Sequence, residues 1–382
     1  MKRRLVILTE IISPYRIPLF NALARHTGVD LHVIFLAETD PGLRQWRVYK
    51  DEIRFSYEVL PSSRMSVAGR SVLINRGVGR ALATAAPDAI LCGGYNYVAS
   101  WQALAWARRR AVPFLLWSES HVHENRKIRP LVEFLKDEFL RRCDGFVVPG
   151  VMAREYLHAH KVKDDGIFTA PNAVDNEMFA TAAKQARGNA VALRAELGLP
   201  ERYFLFAGRL VQAKGVFELL AAYAKLKEET RQQVGLVFAG DGVARTELEA
   251  QAASISPGVV RFAGFAHREQ LAAYYAFAEM LVLPTYSDTW GLVVNEAIAC
   301  GLPVILSDAA GCAADLVTEN WNGLIVPARD ASSLAAAMEK LASQAALRRM
   351  MASNSKQRVS RYSPEEWALG IAGAIAANGV IA

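Results

Sequence analysis

Short apolar runs alternate along the chain with longer segments whose apolar positions recur every three or four residues. The runs Leu5–Thr9, Leu31–Leu36, Phe55–Leu60, Ala89–Cys92, Pro113–Trp117, Phe146–Val148 and Ile167–Ala170 read as strands. Pro18–His26, Arg70–Ala85, Val98–Arg110, Leu131–Arg141 and Val151–His160 read as the helices between them. Continuously apolar strands separated by helices predict a parallel sheet covered on both faces. Around 176–195 small and polar residues carry no strand pattern, and this stretch reads as an interdomain linker, helical in part. The alternation then restarts, with strands at Tyr203–Phe206, Gly235–Ala239, Val259–Phe262, Met280–Pro284, Pro303–Leu306 and Leu324–Val326. Helices are predicted over Gly215–Glu229, Arg245–Ala253, Arg268–Phe277, Leu292–Cys300 and Ala331–Gln344. The reading is two doubly wound α/β domains, 1–185 and 195–362. If the domains face each other, the carboxyl ends of both sheets share a cleft, the edge where such sheets bind ligands.

Composition narrows the class. The 382 residues suffice for two cores. A hydrophobic fraction of 52% and a charged fraction of 21% exclude a disordered chain and a coiled coil. Cys92, Cys143, Cys300 and Cys312 lie far apart without metal-ligand spacing, which argues against a disulfide scaffold and suits a reducing compartment. The opening Met1–Glu10 is basic then apolar, but its apolar run is below the roughly 7–15 residues of a signal sequence. Trp367–Ala382 is uncharged yet shorter than the about 18 residues of a membrane span.

The net charge of +6 is uneven: residues 1–190 carry 27 Lys and Arg against 19 Asp and Glu, the remainder 17 against 19. Basic clusters stand at Lys2-Arg3-Arg4, Arg108-Arg109-Arg110, Arg126-Lys127 with Arg129, and Arg141-Arg142. They read either as solvated helix ends or as a surface for anionic lipid or a phosphate-bearing acceptor. Nucleic acid is disfavoured, because no basic motif is interleaved with aromatics.

Two motifs carry chemistry. Gly208-Arg209-Leu210-Val211-Gln212-Ala213-Lys214-Gly215 follows a strand and opens a helix. Gly208 permits close approach of a ligand, and Arg209 and Lys214 supply two cations near a helix N-terminus, a natural diphosphate site. Ser287–Ala297 follows the strand ending at Pro284, with Asp288 and Glu296 separated by seven residues. Gly291 and Leu292 would open a helix with free amides, and Glu296 would lie on the face of Leu292 one turn deeper. A carboxylate there can accept from the vicinal hydroxyls of a ribose, and Asp288 can reach a sugar hydroxyl. The competing reading of each motif is structural: a loop with surface cations, and a capped helix with an acidic first turn.

Together these residues resemble the retaining GT-B glycosyltransferases of family 4 (glycosyl transferases group 1). Ala239-Gly240-Asp241-Gly242 resembles that family's strand-end turn, and Phe262-Ala263-Gly264-Phe265 its next loop, over the nucleotide base. Pro171-Asn172-Ala173-Val174-Asp175, Ala299–Val304 and Asn322-Gly323-Leu324 match further pieces in order, and Ser13–Phe20 resembles one branch. Two departures stand out. Asp288 takes a place usually held by Glu. The family's His near the reacting carbon falls in Trp117–Glu124, where Glu119 fits the strand-end position and His121 the residue type.

The resemblance implies a GT-B fold, with helix 363–382 packing back on the first domain. It implies a nucleotide diphosphate sugar, UDP- or GDP-linked, as donor, with no cofactor and no metal. Gly208, Arg209, Lys214, Gly264, Phe265, Asp288, Trp290, Gly291, Leu292 and Glu296 would bind the donor. Arg209, Lys214, Asp288 and Glu119 or His121 would serve catalysis, and Arg16 the acceptor. The implied product is a retained glycosidic bond on a lipid-linked saccharide of bacterial cell-surface polysaccharide synthesis. The expected location is the cytoplasm, peripheral on the inner face of the membrane through an anionic lipid surface. The alternatives are a soluble small-molecule acceptor, a sugar-nucleotide epimerase or phosphorylase, and a non-catalytic binding module.

Overall fold

The structure is a computed structural model and describes residues 2–40, 46–67, 70–121, 130–255 and 258–380. The first unit comprises Met1–Val174 and Ser363–Ala382, the second Asp175–Tyr362. The strands of the first unit are β1 Arg3–Thr9, β2 Val29–Phe35, β3 Ser56–Val59, β4 Ser62–Val67, β5 Arg70–Asn75, β6 Ala89–Cys92, β7 Phe114–Trp117, β8 Gly145–Val148 and β9 Ile167–Thr169. The second contributes β10 Tyr203–Ala207, β11 Gly235–Ala239, β12 Val260–Gly264, β13 Met280–Leu283, β14 Val304–Ser307 and β15 Gly323–Val326.

Each unit is built on one parallel sheet, ordered β3-β2-β1-β6-β7-β8-β9 in the first and β12-β11-β10-β13-β14-β15 in the second. Period-two alternation sorts the strand side chains into two layers. Val6, Leu8, Ile90 and Leu116 join the core on one face of the first sheet, while Leu5, Ile7, Leu91 and Leu115 join that on the other. Burial on both faces is why these strands are continuously apolar. The order reverses between β11-β10 and β13, so the loops after β10 and β13 diverge and leave a crevice at their carboxyl ends.

Two segments differ from the sequence reading. The supposed linker is two helices, Asn176–Gly188 and Ala190–Leu197, and the chain changes unit after Val174 rather than at 185. Asp175 caps the first of them by accepting from the Met178 amide at 2.9 Å. Its face of Phe179, Ala183 and Ala186 is buried, and it packs on helices Arg268–Phe277 and Leu292–Ala299. Two of its three buried positions are alanines, which give little hydrophobic contrast. The expected helix Arg70–Ala85 is instead strand β5 followed by helix Val78–Ala85. β5 pairs antiparallel with β4, and burial alternates from Leu73 to exposed Ile74 to Asn75.

Helix Pro364–Ala377 packs on helix Ile17–Arg25, β8 and β9. Trp367 is fully buried, with ring centroids 5.7 Å from Phe20 and 5.2 Å from Trp117. Trp106 and Trp101 likewise pack in or against the core, Trp101 edge-on to Phe139 at 4.9 Å. No described helix is long and apolar enough to cross a membrane.

Candidate functional site

In the second unit the loop after β10 carries Gly208, Arg209 and Lys214, and the loop after β13 carries Asp288 and Gly291. The Lys214 ammonium donates to the Asp288 carboxylate, with side chains only 19% and 15% exposed. Gly215, at φ +69°, lets the first loop lie against the second strand's end. A Cβ there would stand 1.9 Å from the Pro284 carbonyl oxygen. Gly291 caps helix Leu292–Ala299 at φ +97°, and its α-carbon faces Asp288, whose Oδ2 lies 3.7 Å from where a Cβ would be. Of the first amides of that helix, Val294 donates to the Gly291 carbonyl at 2.9 Å, and those of Leu292 and Val293, with no carbonyl one turn back, add to the cationic side of the crevice. Arg209 is exposed and has no acidic partner among the described residues. The crevice thus holds one paired and one uncommitted cation beside a helix N-terminus, a set that suits a diphosphate.

The neighbouring loops brace this arrangement. Gly208 donates to the Ala239 carbonyl at 3.0 Å and Leu210 to that of Asp241 at 2.9 Å. Gly264, at the end of β12, bridges to Gly240, and the half-exposed Phe265 beyond it meets His267 edge-on. Sequence reading missed the residues beneath. Thr285, fully buried, shares its hydroxyl proton between the carbonyls of Ala213 at 3.0 Å and Ser287 at 3.1 Å. Ser307 donates to the Thr285 carbonyl at 2.5 Å. The Tyr286 amide also donates to Ala213. Its phenol is pushed up to about 12, by burial and then by its hydrogen bond to Glu218. An open groove of about 530 Å³ lies beside it, lined by Gln212, Phe217, Glu218 and Arg329 among others. Hydroxyls after a strand were the available signal, but nothing in their spacing says which carbonyl they meet.

Two residues expected to contact the donor are buried. Trp290 is 3% exposed, and its indole donates to Asn295 at 2.8 Å, so it is a core residue behind the loop. Glu296 is fully buried and accepts from the Tyr275 hydroxyl at 2.6 Å. Helical spacing did place Glu296 one turn below Leu292. The neighbouring helix Arg268–Phe277, with Tyr275, covers that face. Leu292 keeps partial exposure.

In the first unit Arg16, Glu119 and Asn172 form a closed cluster. Arg16 donates to Glu119 at 2.7 Å and to Asn172 at 3.1 Å, and Asn172 donates to the same Glu119 oxygen at 2.7 Å. The guanidinium lies over the Trp117 ring, 3.9 Å from its centroid. Glu119 keeps 30% of its side chain exposed, whereas His121 is 1% exposed. Of the two alternatives, Glu119 offers surface to a ligand, whereas His121 is buried.

Most of the basic clusters find local acids: Arg3 with Asp88, Arg4 with Asp30, Arg108 with Asp144, and Arg141 and Arg142 with Glu138. Arg126, Lys127 and Arg129 lie outside the described residues. Cys300 and Cys312 are buried thiols pushed well up by desolvation. Among the described residues no group of three His, Cys, Asp or Glu side chains is placed to hold a metal ion.

Two family models match the chain: the glycosyl transferase 4-like domain over residues 15–173 and glycosyl transferases group 1 over residues 192–358. The chain belongs to the group 1, family 4 glycosyltransferases. It is similar to a D-inositol 3-phosphate glycosyltransferase of Xylanimonas cellulosilytica, 31% identical over 56% of this chain and 52% of the relative. An alpha-monoglucosyldiacylglycerol synthase of Streptococcus pneumoniae is 33% identical over 49% and 43%. The chain spans about half the length of the curated relatives it matches. Its fold matches the Anabaena protein HepE, solved with UDP and glucose, at a TM-score of 0.76 and 16% identity over 98% of this chain and 99% of the other. Two parallel-sheet α/β units of this kind are the GT-B architecture.

Proposed function

We propose that the protein transfers a hexose-type sugar from a nucleotide diphosphate sugar to an acceptor, with retention of configuration and without a metal. The observation that carries this reading is the Lys214–Asp288 pair set at a helix N-terminus with Arg209 uncommitted beside it. The donor diphosphate would take over Lys214 and engage Arg209 and the helix amides, freeing Asp288 for a sugar hydroxyl. These groups would then stabilise charge as the bond from the anomeric carbon to the phosphate oxygen breaks. The electron pair leaves with the nucleoside diphosphate. The acceptor oxygen bonds on the same face, and its proton passes to the leaving phosphate. UDP is the first donor nucleotide to try, since HepE was solved with it.

The acceptor reading is a lipid-linked saccharide handled by the first unit, at the cytoplasmic face of a membrane. It is supported by the basic first half of the sequence and by the diacylglycerol in the name of the Streptococcus pneumoniae relative. A soluble phosphate-bearing acceptor is the second reading, favoured by the inositol 3-phosphate relatives. A thermal-shift panel of UDP, GDP, ADP, TDP and CDP and their sugars, without added metal, tests the donor site. A ligand at about 100 times its dissociation constant should add roughly 2.7 kcal/mol. One base giving a shift that Lys214→Ala cuts to about half or less supports the reading; no shift with any of them, in folded protein, overturns it. Release of nucleoside diphosphate only with acceptor present separates transfer from epimerisation.

A further inference from the structure

The groove of about 530 Å³ beside Tyr286 opens on the second unit behind the turn that carries Lys214. Its lining includes Gln212, Phe217, Glu218, Glu247, Tyr286 and Arg329. It lies on the other face of the sheet from the diphosphate crevice. Helix Val216–Ala224 packs on helices Arg245–Ala252 and Ala331–Ser343. Phe217 and Glu218 belong to the first of these and Glu247 to the second, and Arg329 precedes the third. Helix Leu292–Ala299, whose N-terminus faces the crevice, packs instead on Asn176–Gly188, Arg268–Phe277 and Ala345–Val359. The turn Gln212–Lys214 is the wall between the two: Lys214 reaches Asp288 on one side, while Gln212 lines the groove on the other.

Three features mark the groove as a built site. Its volume falls within the roughly 300–1,000 Å³ of small-molecule sites. Glu218 accepts from the Tyr286 phenol, yet its Oε2 is buried with no partner among the described residues. A buried carboxylate oxygen without a donor is costly, and a hydroxyl entering the groove can supply one. Arg329 holds a left-handed backbone at φ +65°, a conformation that suits glycine. Strain of this kind gathers at ligand clamps. Here it accompanies a guanidinium set over the Tyr286 ring, 4.5 Å from the centroid, on a residue that stays exposed.

The lining selects the chemistry of the occupant. The carboxylates of Glu218 and Glu247 repel an anion, and the Arg329 guanidinium already holds the place of a cation over the Tyr286 face. A neutral ligand remains, one that donates and accepts hydrogen bonds and lays an apolar side on the half-buried Phe217. We propose that this groove is a second binding site, for a neutral saccharide, and that its occupant steadies the Gln212–Lys214 turn for the nucleotide. The link is short. The Tyr286 amide donates to the Ala213 carbonyl at 2.9 Å, between Gln212 and Lys214. A saccharide touching both Gln212 and Tyr286 ties the turn from two sides, and by linkage saccharide and nucleotide should each tighten the other. The coupling rests on the nucleotide reading of the crevice; saccharide binding itself does not.

The test is saturation-transfer NMR on the full chain with methyl α-glucoside, methyl α-galactoside, methyl α-mannoside, maltose and lactose. Wild type should transfer saturation to at least one of them, and the signal should persist when UDP fills the crevice. Arg329→Gly removes the guanidinium and relaxes the backbone, so it should melt no lower than wild type while losing about tenfold or more in saccharide affinity. Calorimetric titration with the bound sugar at saturation should show UDP tightened at least about fivefold. No transfer to any sugar, a signal that UDP abolishes, or equal affinity in Arg329→Gly would each overturn the site. Transfer to spermidine but to no sugar makes the groove a cation site, and the proposal falls. An unchanged UDP affinity overturns the coupling. UDP binding without sugar binding leaves the nucleotide reading standing; sugar binding without UDP binding does the reverse.

Discussion

Lys214 donates to Asp288 across 74 residues of sequence, and this single contact ties the loop after β10 to the loop after β13. The carboxylate occupies the cation that a diphosphate would need. Lys214→Ala should weaken UDP-sugar binding roughly 10–100-fold, the 1.5–3 kcal/mol of a charge-assisted hydrogen bond. Asp288→Asn removes the competitor and should bind plain UDP at least as tightly as wild type, yet turn over sugar more slowly. Calorimetric titration beside a transfer assay separates the two effects. Weaker UDP binding by Asp288→Asn would count against the exchange of partners.

Beneath that contact, Thr285 holds the Lys214 loop through the Ala213 carbonyl. Thr285→Val leaves this buried carbonyl with one donor fewer and should raise the donor KM about tenfold, with kcat reduced less. Thr285→Ser keeps the hydroxyl and should restore the KM. If the serine variant is no better than valine, lost packing rather than the hydrogen bond is responsible.

Gly215 admits no side chain. An alanine Cβ would meet the Pro284 oxygen at 1.9 Å, and the backbone is left-handed. Gly215→Ala should cost about 2 kcal/mol or more in urea unfolding and abolish the nucleotide shift. Gly77→Ala has the same sign of φ but open space around it, and should cost only about 1 kcal/mol.

The Arg16–Glu119–Asn172 cluster shares one carboxylate oxygen between two donors, so its members should not act independently. A double-mutant cycle of Arg16→Ala and Asn172→Ala should show coupling on the order of 1 kcal/mol. Arg16→Lys keeps the charge but loses the fork and the flat face over Trp117, and should behave more like alanine than wild type. Additive losses would dissolve the cluster as a unit.

Alkali should unfold the protein progressively. Burial pushes the Cys92 thiol and the Tyr286 and Tyr362 phenols up to about 12, against ordinary values of 9.0 and 10.0 that the unfolded chain would show. Above about pH 9 the unfolded state releases protons that the folded state retains, so stability is full below that pH and declines as pH rises toward 12. Melting temperature measured from neutral pH to pH 11 should be flat and then fall. A flat profile throughout would contradict this burial.

The strand runs, the break into two parallel-sheet units and the loops bearing Arg209, Lys214 and Asp288 were legible in the sequence. Their signals are local: a continuously apolar strand declares burial on both faces, and glycine beside a cation after a strand declares a ligand loop. Helix Asn176–Gly188 and strand β5 were not legible, because alanine-rich and short alternating patterns owe their state to what they pack on. The tertiary structure alone decided that Glu296 and Trp290 turn into the core while Asp288 meets Lys214. Helical periodicity fixes the direction in which a side chain leaves its helix, but not whether water, a ligand or another helix waits there; long-range packing settles that.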